Sequence, residues 1–291
     1  MNICFICDDK YAVSACVMLK SLVKSNPDIA INCYTFYELL ANSSLKLIEQ
    51  ALLEGSKDNK LIDIHTSPEI KQTLSQCKQI SRFPPIVFYR LFIPYLVDET
   101  VDRILYLDTD ILVNKKLNEL YDFVLNDSLI ACVKDTEYYS GKERLGLSSY
   151  MNSGVILFDC HSIAQKWNIE EYIHIFLKNI SESVLLYPDQ DILNIMYEGK
   201  ICELPKKFNY QDIVSKVYVF KHLKDTYSAS VVHFITGNKP WLNTYFFPYS
   251  IKYYRFSKYY MNFKQKIAFW LEKPKGIILY IKEYVNLKRR S

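Results

Sequence analysis

Ile104-Leu105-Tyr106-Leu107-Asp108-Thr109-Asp110-Ile111-Leu112-Val113 is the stretch on which the reading of this chain turns. Four apolar or aromatic residues lead into Asp-Thr-Asp and three apolar residues follow. That pattern predicts a buried strand of an α/β sheet. Two carboxylates in such surroundings are costly unless something compensates them. Side chains at i and i+2 share a face of extended backbone, so Asp108 and Asp110 are expected to converge. A hard divalent ion accepts one or two protein carboxylates and fills its other positions with phosphate oxygens and water. One reading is a strand end holding a metal that holds a diphosphate. The other is a turn with two solvated aspartates; no Gly, Pro or Asn marks a turn here, which favours the first.

Outward from this stretch, strand and helix signals alternate. Residues 2–7 predict a buried strand, and 12–25 carry Val13, Cys16, Val17, Leu19, Leu22 and Val23 at helical spacing before Asn26-Pro27. Asp8, Asp9 and Tyr11 then fall in a strand-to-helix turn, where open α/β sheets bind ligands. Strands are expected over 29–36 and 61–64, with helices over 43–53, 69–77 and 88–96. The βαβαβα order predicts a mostly parallel, Rossmann-like sheet flanked by helices. Beyond Val113 the pattern predicts a helix near 118–125, a strand over 129–134 and a polar excursion over the site at 135–150. A strand over 155–158, helices over 162–179 and 191–197 and a strand over 231–234 follow, with a boundary near 245.

Composition narrows the class. With 291 residues, 49% hydrophobic and 23% charged, the chain suits one large α/β domain with an extension. The opening residues lack a basic segment and soon reach two aspartates, unlike a signal peptide. No apolar run reaches the roughly 18 residues of a membrane-spanning helix. Eight cysteines are scattered through apolar runs, which points to reduced thiols in a cytoplasmic protein. Cys4 and Cys7 form C-x-x-C, but a spacing of three along a strand puts them on opposite faces, against a redox or zinc role. Charge is uneven: residues 250–291 hold eleven Lys/Arg and two Glu, a local +9 in a chain of +4, so the preceding 249 residues carry −5.

Seven blocks, in their order and spacing, resemble the family 8 glycosyltransferases. They are Phe5-Ile6-Cys7-Asp8-Asp9-Lys10-Tyr11, Phe88-Tyr89-Arg90-Leu91, Leu105 to Val113, Tyr150-Met151-Asn152-Ser153-Gly154-Val155, Asp189-Gln190-Asp191-Ile192-Leu193-Asn194, Pro205-Lys206-Lys207-Phe208-Asn209 and His233 to Trp241. The resemblance runs from about residue 1 to 245 and implies a GT-A fold, a UDP-hexose donor (UDP-glucose or UDP-galactose), Mn²⁺ or Mg²⁺, and retention of anomeric configuration. It assigns Asp108, Asp110 and His233 to the metal. Asp8, Asp9, Tyr11 and Thr109 fall to the donor nucleotide and Lys239 to its diphosphate. Arg90, Asn152, Asp189 and Gln190 fall around the donor sugar. The chain departs from the family where Thr236 replaces a usual glycine, Leu242 a frequent histidine and Lys10 a common asparagine.

These residue types suit the chemistry. A nucleoside diphosphate leaving group needs its developing charge stabilised, and a metal with a lysine does so without a proton donor. The imidazole of His233 favours Mn²⁺ over Mg²⁺. Sugar hydroxyls need fixed polar partners, which Arg90, Asn152 and Asp189 offer. Asp191 is expected to cap a helix while Asp189 faces the sugar. Retention by double displacement requires a nucleophile, with Asp189 and Gln190 nearest by motif; the other route is front-face attack with the leaving phosphate as base.

Other functions are weighed against these residues. A dehalogenase-type phosphatase also uses Asp-x-Asp, but in its first strand and with Thr or Val where Leu112 stands. A membrane-surface adaptor with an inactive transferase domain would explain the basic tail, though not the metal-type residues. The tail, 246–291, mixes lysines and arginines with Tyr253, Tyr254, Phe256, Tyr259, Tyr260, Phe263, Phe269, Trp270, Tyr280 and Tyr284, and helical spacing runs over 253–270. Basic residues with interfacial aromatics are the pattern of an in-plane membrane helix. The tail is therefore expected to hold the protein peripherally at an anionic inner membrane face, to be dispensable for donor chemistry, and to serve a glycan acceptor that includes lipid-linked ones. No nucleic-acid partner is expected.

Overall fold

The structure is a computed structural model; it describes residues 1–37, 40–77, 85–136, 141–183, 185–211, 228–237, 239–241 and 248–260. Its strands are β1 Asn2–Ile6, β2 Asn32–Phe36, β3 Lys60–Asp63, β4 Arg103–Leu107, β5 Ile111–Val113, β6 Ile130–Lys134, β7 Met151–Asp159, β8 Ile201–Glu203, β9 Tyr210–Gln211 and β10 Val231–His233. The helices are α1 Ala12–Ser25, α2 Asn42–Leu53, α3 Pro68–Gln76, α4 Tyr89–Phe92, α5 Asn118–Tyr121, α6 Lys142–Leu145, α7 Cys160–Lys166, α8 Ile169–Glu182, α9 Pro188–Met196 and α10 Pro248–Ser257.

Seven strands form the main sheet in the order β3-β2-β1-β4-β7-β6-β8. Only β7 runs against the others, pairing antiparallel with β4 and β6. The chain lays β2 and β3 on one side of β1, then returns to put β4 on the other. That reversal opens a crevice at the carboxyl ends of β1 and β4, where an open sheet binds its ligand. Alternation along the strands splits the core: Ile3, Phe5, Leu105 and Leu107 pack with α1 and α2, while Cys4, Ile104 and Tyr106 pack with residues of α3, α8 and α9. Cys4 and Cys7 indeed lie in opposite clusters, and all eight cysteines are free, seven of them buried.

The decisive stretch differs from its expectation. Residues 104–113 are not one strand: β4 stops at Leu107, Asp108-Thr109-Asp110 turns, and β5 enters a second sheet of order β5-β10-β9. Carboxylates cannot sit inside a dry ladder, so the chain leaves the main sheet where they begin. Other boundaries move too. The strand expected over 155–158 spans all of β7, whose first eight residues are buried. The helix expected over 162–179 is two, because Asn168 starts α8 with a reciprocal cap: its side chain accepts from Glu171 N at 2.9 Å, and Glu171 accepts from Asn168 N at 3.0 Å. The segment expected as a helix over 88–96 is α4 flanked by 3₁₀ turns, with Pro94 inside the second. Strands β8 and β9, of three and two residues, were not expected.

Residues after 245 do not leave the fold at once. α10 packs on α1 and buries Tyr253 and Phe256 against Val17, Leu112, Tyr210, Val232 and Phe234. The helix expected over 253–270 ends at Ser257 within the described residues, and the rest of that segment and the one over 277–285 lie outside them. No helix among the described residues is long and apolar enough to cross a membrane.

Candidate functional site

Two sheets meet at the Asp-Thr-Asp turn. On one side, Asp108 N donates to Gly154 O of β7 at 2.9 Å. On the other, β10 pairs His233 with Ile111, so the imidazole lands beside Asp110. His233 Nε2 lies 3.2 Å from Asp110 Oδ1 and 3.6 Å from Asp108 Oδ2. Among the described residues these three form the only cluster of metal-type donors, with ligand atoms within 4.8 Å of one another. Gly154 makes the approach possible: a Cβ there would press into the His233 ring and stand 2.8 Å from Asp108 Oδ2.

Fixed partners orient each carboxylate. Tyr106, two residues earlier on the same strand face, donates its hydroxyl to Asp108 Oδ1 at 2.6 Å. Arg90 Nη1 stands 3.2 Å from the same oxygen and 3.2 Å from Asp189 Oδ2. It also donates to Ser153 O at 3.2 Å. Burial opposes the charge on Arg90, but Asp108 and Asp189 overcome that and hold the guanidinium firmly protonated. Lys239 Nζ donates to Asp110 Oδ2 at 2.6 Å and to Phe234 O. Burial would raise the Asp110 carboxyl, yet Lys239 and His233 hold it well below the ordinary carboxylate range.

The donor set fits a divalent cation. Asn209 Nδ2 donates to Asn152 Oδ1 at 2.7 Å, which turns Asn209 Oδ1 toward His233 Nδ1, 3.1 Å away. Nδ1 therefore carries the ring proton, and Nε2 faces two carboxylate oxygens. One imidazole nitrogen and two carboxylate oxygens, with an amide steering the histidine from behind, are a donor set of the kind that holds such an ion.

A cleft of about 390 Å³ opens beside this cluster, lined in part by Asp8, Lys10, Tyr11, Arg90, Asp108, Thr109 and Asp110. Asp8 Oδ1 accepts from Tyr11 N at 3.1 Å and shapes the turn after β1. Asp9 stands apart from that lining. Its Oδ1 accepts from Ala41 N at 2.9 Å, and that bond, with one from Ser44, lowers its pKa.

The residues expected around a sugar also come together. Gln190 Oε1 accepts from Asn152 Nδ2 and Ser153 N, both at 3.1 Å, and its Nε2 donates to Asp135 Oδ2 at 2.9 Å. Asp189 Oδ2 accepts from Ser153 Oγ at 3.2 Å. Burial raises the Asp189 carboxyl even against the pull of Arg90, and the nearby Asp108 adds to it. Asp191 does not stand at the N-cap, which Tyr187 occupies. It reaches back from within α9, accepting from Leu186 N at 2.8 Å and Tyr187 N at 3.0 Å. Four residues here carry no role in the sequence reading: Tyr106, Asp135, Ser153 and Asn209. For Tyr106 the i, i+2 spacing to Asp108 was a usable signal; for Asp135, 55 positions from Gln190, there was none.

Comparison with known proteins identifies the family and the fold. The family described as Glycosyl transferase family 8 matches residues 2–245. A lipopolysaccharide 1,2-glucosyltransferase of Escherichia coli K12 is 27% identical over 99% of this chain and 85% of its own length. General stress protein A of Bacillus subtilis 168 is 24% identical over 89% of this chain and 93% of its own. Among solved structures, the galactosyltransferase LgtC with donor and acceptor sugar analogues superposes with a TM-score of 0.70 at 22% identity, covering 89% of this chain and 95% of that one. The fold is thus the GT-A fold, and the chain belongs to glycosyl transferase family 8.

Proposed function

We propose that this enzyme moves glucose or galactose from a UDP-sugar to a glycan acceptor, with retention of configuration and with Mn²⁺ or Mg²⁺ bound by Asp108, Asp110 and His233. The observation that carries the reading is the convergence of those three residues beside a cleft that Asp108 and Asp110 line together with Asp8 and Tyr11. The cation, when bound, supplies Lewis-acid neutralisation of the charge that develops on the diphosphate. Lys239 adds a fixed positive charge beside it. Asp8, Asp9, Tyr11 and Thr109 hold the nucleotide, Asp9 by fixing the loop at Ala41. Arg90, Asn152 and Asp189 offer polar partners to the sugar. Gln190 Oε1 already accepts two hydrogen bonds, so the amide positions its neighbours rather than attacking the anomeric carbon.

The acceptor belongs to surface-glycan synthesis in this reading, supported by the lipopolysaccharide glucosyltransferase among the relatives. Lipid-linked acceptors at the cytoplasmic membrane face are included, with the basic tail holding the enzyme peripherally to anionic lipid. A panel of UDP-sugars with Mn²⁺, with and without EDTA, tests the donor and the metal. Metal-dependent release of UDP from one UDP-hexose is expected, and Asp108→Asn or Asp110→Asn should lower turnover more than ~100-fold while the fold persists. Turnover within about tenfold of the parent chain in either variant rules out the metal assignment.

A further inference from the structure

The helix that follows the family match returns to the donor site. α10 presents Tyr253, 1% exposed, to two aromatic rings. Phe234 meets it edge-on at 6.2 Å between centroids and 86°, and Trp241 lies at 5.5 Å and 39°. Phe234 and Trp241 are the two ends of the segment that presents Lys239. At the first end, Phe234 N donates to Asp110 O at 3.1 Å, and Phe234 O accepts from Lys239 Nζ. At the second, Trp241 also meets Tyr11 of the nucleotide turn, edge-on at 6.4 Å. Pro240 stiffens the link between Lys239 and Trp241. The Tyr253 hydroxyl is buried without a hydrogen-bond partner among the described residues, so the ring alone makes these contacts.

We propose that Tyr253 is a positioning residue for the donor site: from the C-terminal helix it clamps both ends of the Lys239 segment and holds that lysine where a diphosphate binds. Residues 248–260 then belong to the catalytic unit. The ligand named here rests on the UDP-sugar reading, whereas the clamp itself does not.

Two measurements on the full chain separate those claims. The first is calorimetric affinity for UDP with Mn²⁺. The second is the rate at which an amine-acylating reagent labels Lys239, followed by mass spectrometry, with no nucleotide present. Tyr253→Ala, with cooperative melting retained, is expected to weaken UDP binding about tenfold and to speed Lys239 labelling several-fold, as a freed lysine leaves its pocket. Tyr253→Phe should restore both to within about twofold, because it keeps the ring. If Tyr253→Ala does not fold, Trp241→Leu, at a half-buried position, is expected to give the same two changes. Unchanged affinity and unchanged labelling in a folded Tyr253→Ala or Trp241→Leu chain overturn the clamp. A parent chain that ignores UDP refutes the nucleotide reading, and the labelling rates still decide the clamp.

Discussion

Gly154 is the residue on which the cluster depends most directly. Its missing side chain lets β7 lie against both His233 and Asp108. Gly154→Ala should displace the imidazole and weaken Mn²⁺ binding at least ~10-fold, as expected for disturbing a ligand's support, with titration calorimetry as the measurement. Asp135 is the residue on which a pH prediction rests. Burial raises its carboxyl from the ordinary 3.8 to about 6, and hydrogen bonds from Thr136 and Gln190 offset this only in part. A carboxyl raised on folding contributes stability that is fully present below 3.8 and is lost as the pH rises through about 6. Catalysis is expected to run the other way, because the ionised carboxylate accepts from Gln190 more strongly than the neutral acid and so holds that amide more firmly. kcat/KM should fall on the acid side of a limb near pH 6, and Asp135→Asn, which still accepts that bond but cannot titrate, should lack the limb.

At the scale of elements, α9 is the piece that aligns Asp189 and Gln190, and a buried aspartate anchors it. Asp191 is fully buried and receives four donors. Two are the backbone N–H groups ahead of α9; the others are Arg144 Nη2 at 2.7 Å and the Tyr150 hydroxyl at 2.5 Å. Helix α6, through Arg144, is thereby tied to the helix that carries the sugar-side pair. Asp191→Ala removes the buried acceptor that those donors share and should cost about 3 kcal/mol in urea unfolding. The expected kinetic signature is a loss of kcat without a matching change in donor KM, since the pair is misaligned rather than removed. A stability change under about 0.5 kcal/mol, the range of ordinary surface substitutions, contradicts this account.

The whole molecule divides its charge between a working body and a basic end. Residues 261–291 hold eight Lys/Arg and two Glu. Each basic residue near an anionic leaflet contributes about 1 kcal/mol, so half of them at such a surface would give firm attachment. A chain ended after Tyr260 keeps α10 and is expected to keep donor turnover within about twofold while losing sedimentation with anionic liposomes at low salt. Liposome binding equal to that of the full chain sinks the anchor. A chain ended before Pro248 is a different matter. It strips Tyr253 and Phe256 from the cluster with Val17 and Val232, and buried aromatics of this kind contribute ~3 kcal/mol each. The dispensable portion of the tail is therefore expected to begin after α10, whose Tyr253 and Phe256 pack on the body of the protein.

Local physics made much of this protein legible. The helical spacing over 12–25 matches α1 residue for residue, because an amphipathic period is a property of the segment itself. Asp108 and Asp110 could be marked as a ligand group from the cost of placing carboxylates among apolar residues. The seven motif blocks carried the family. Partners distant along the chain decided the rest. Whether 104–113 stays in one sheet depends on which strands pair with each half, and β7 and β10 claim different halves. Short β8 and β9 have no periodicity to read; they exist because β6 and β10 offer them hydrogen bonds. The orientation of His233 is set by Asn209 and Asn152, residues 24 and 81 positions away, and hydrogen-bond direction of that kind is a property of the folded arrangement alone.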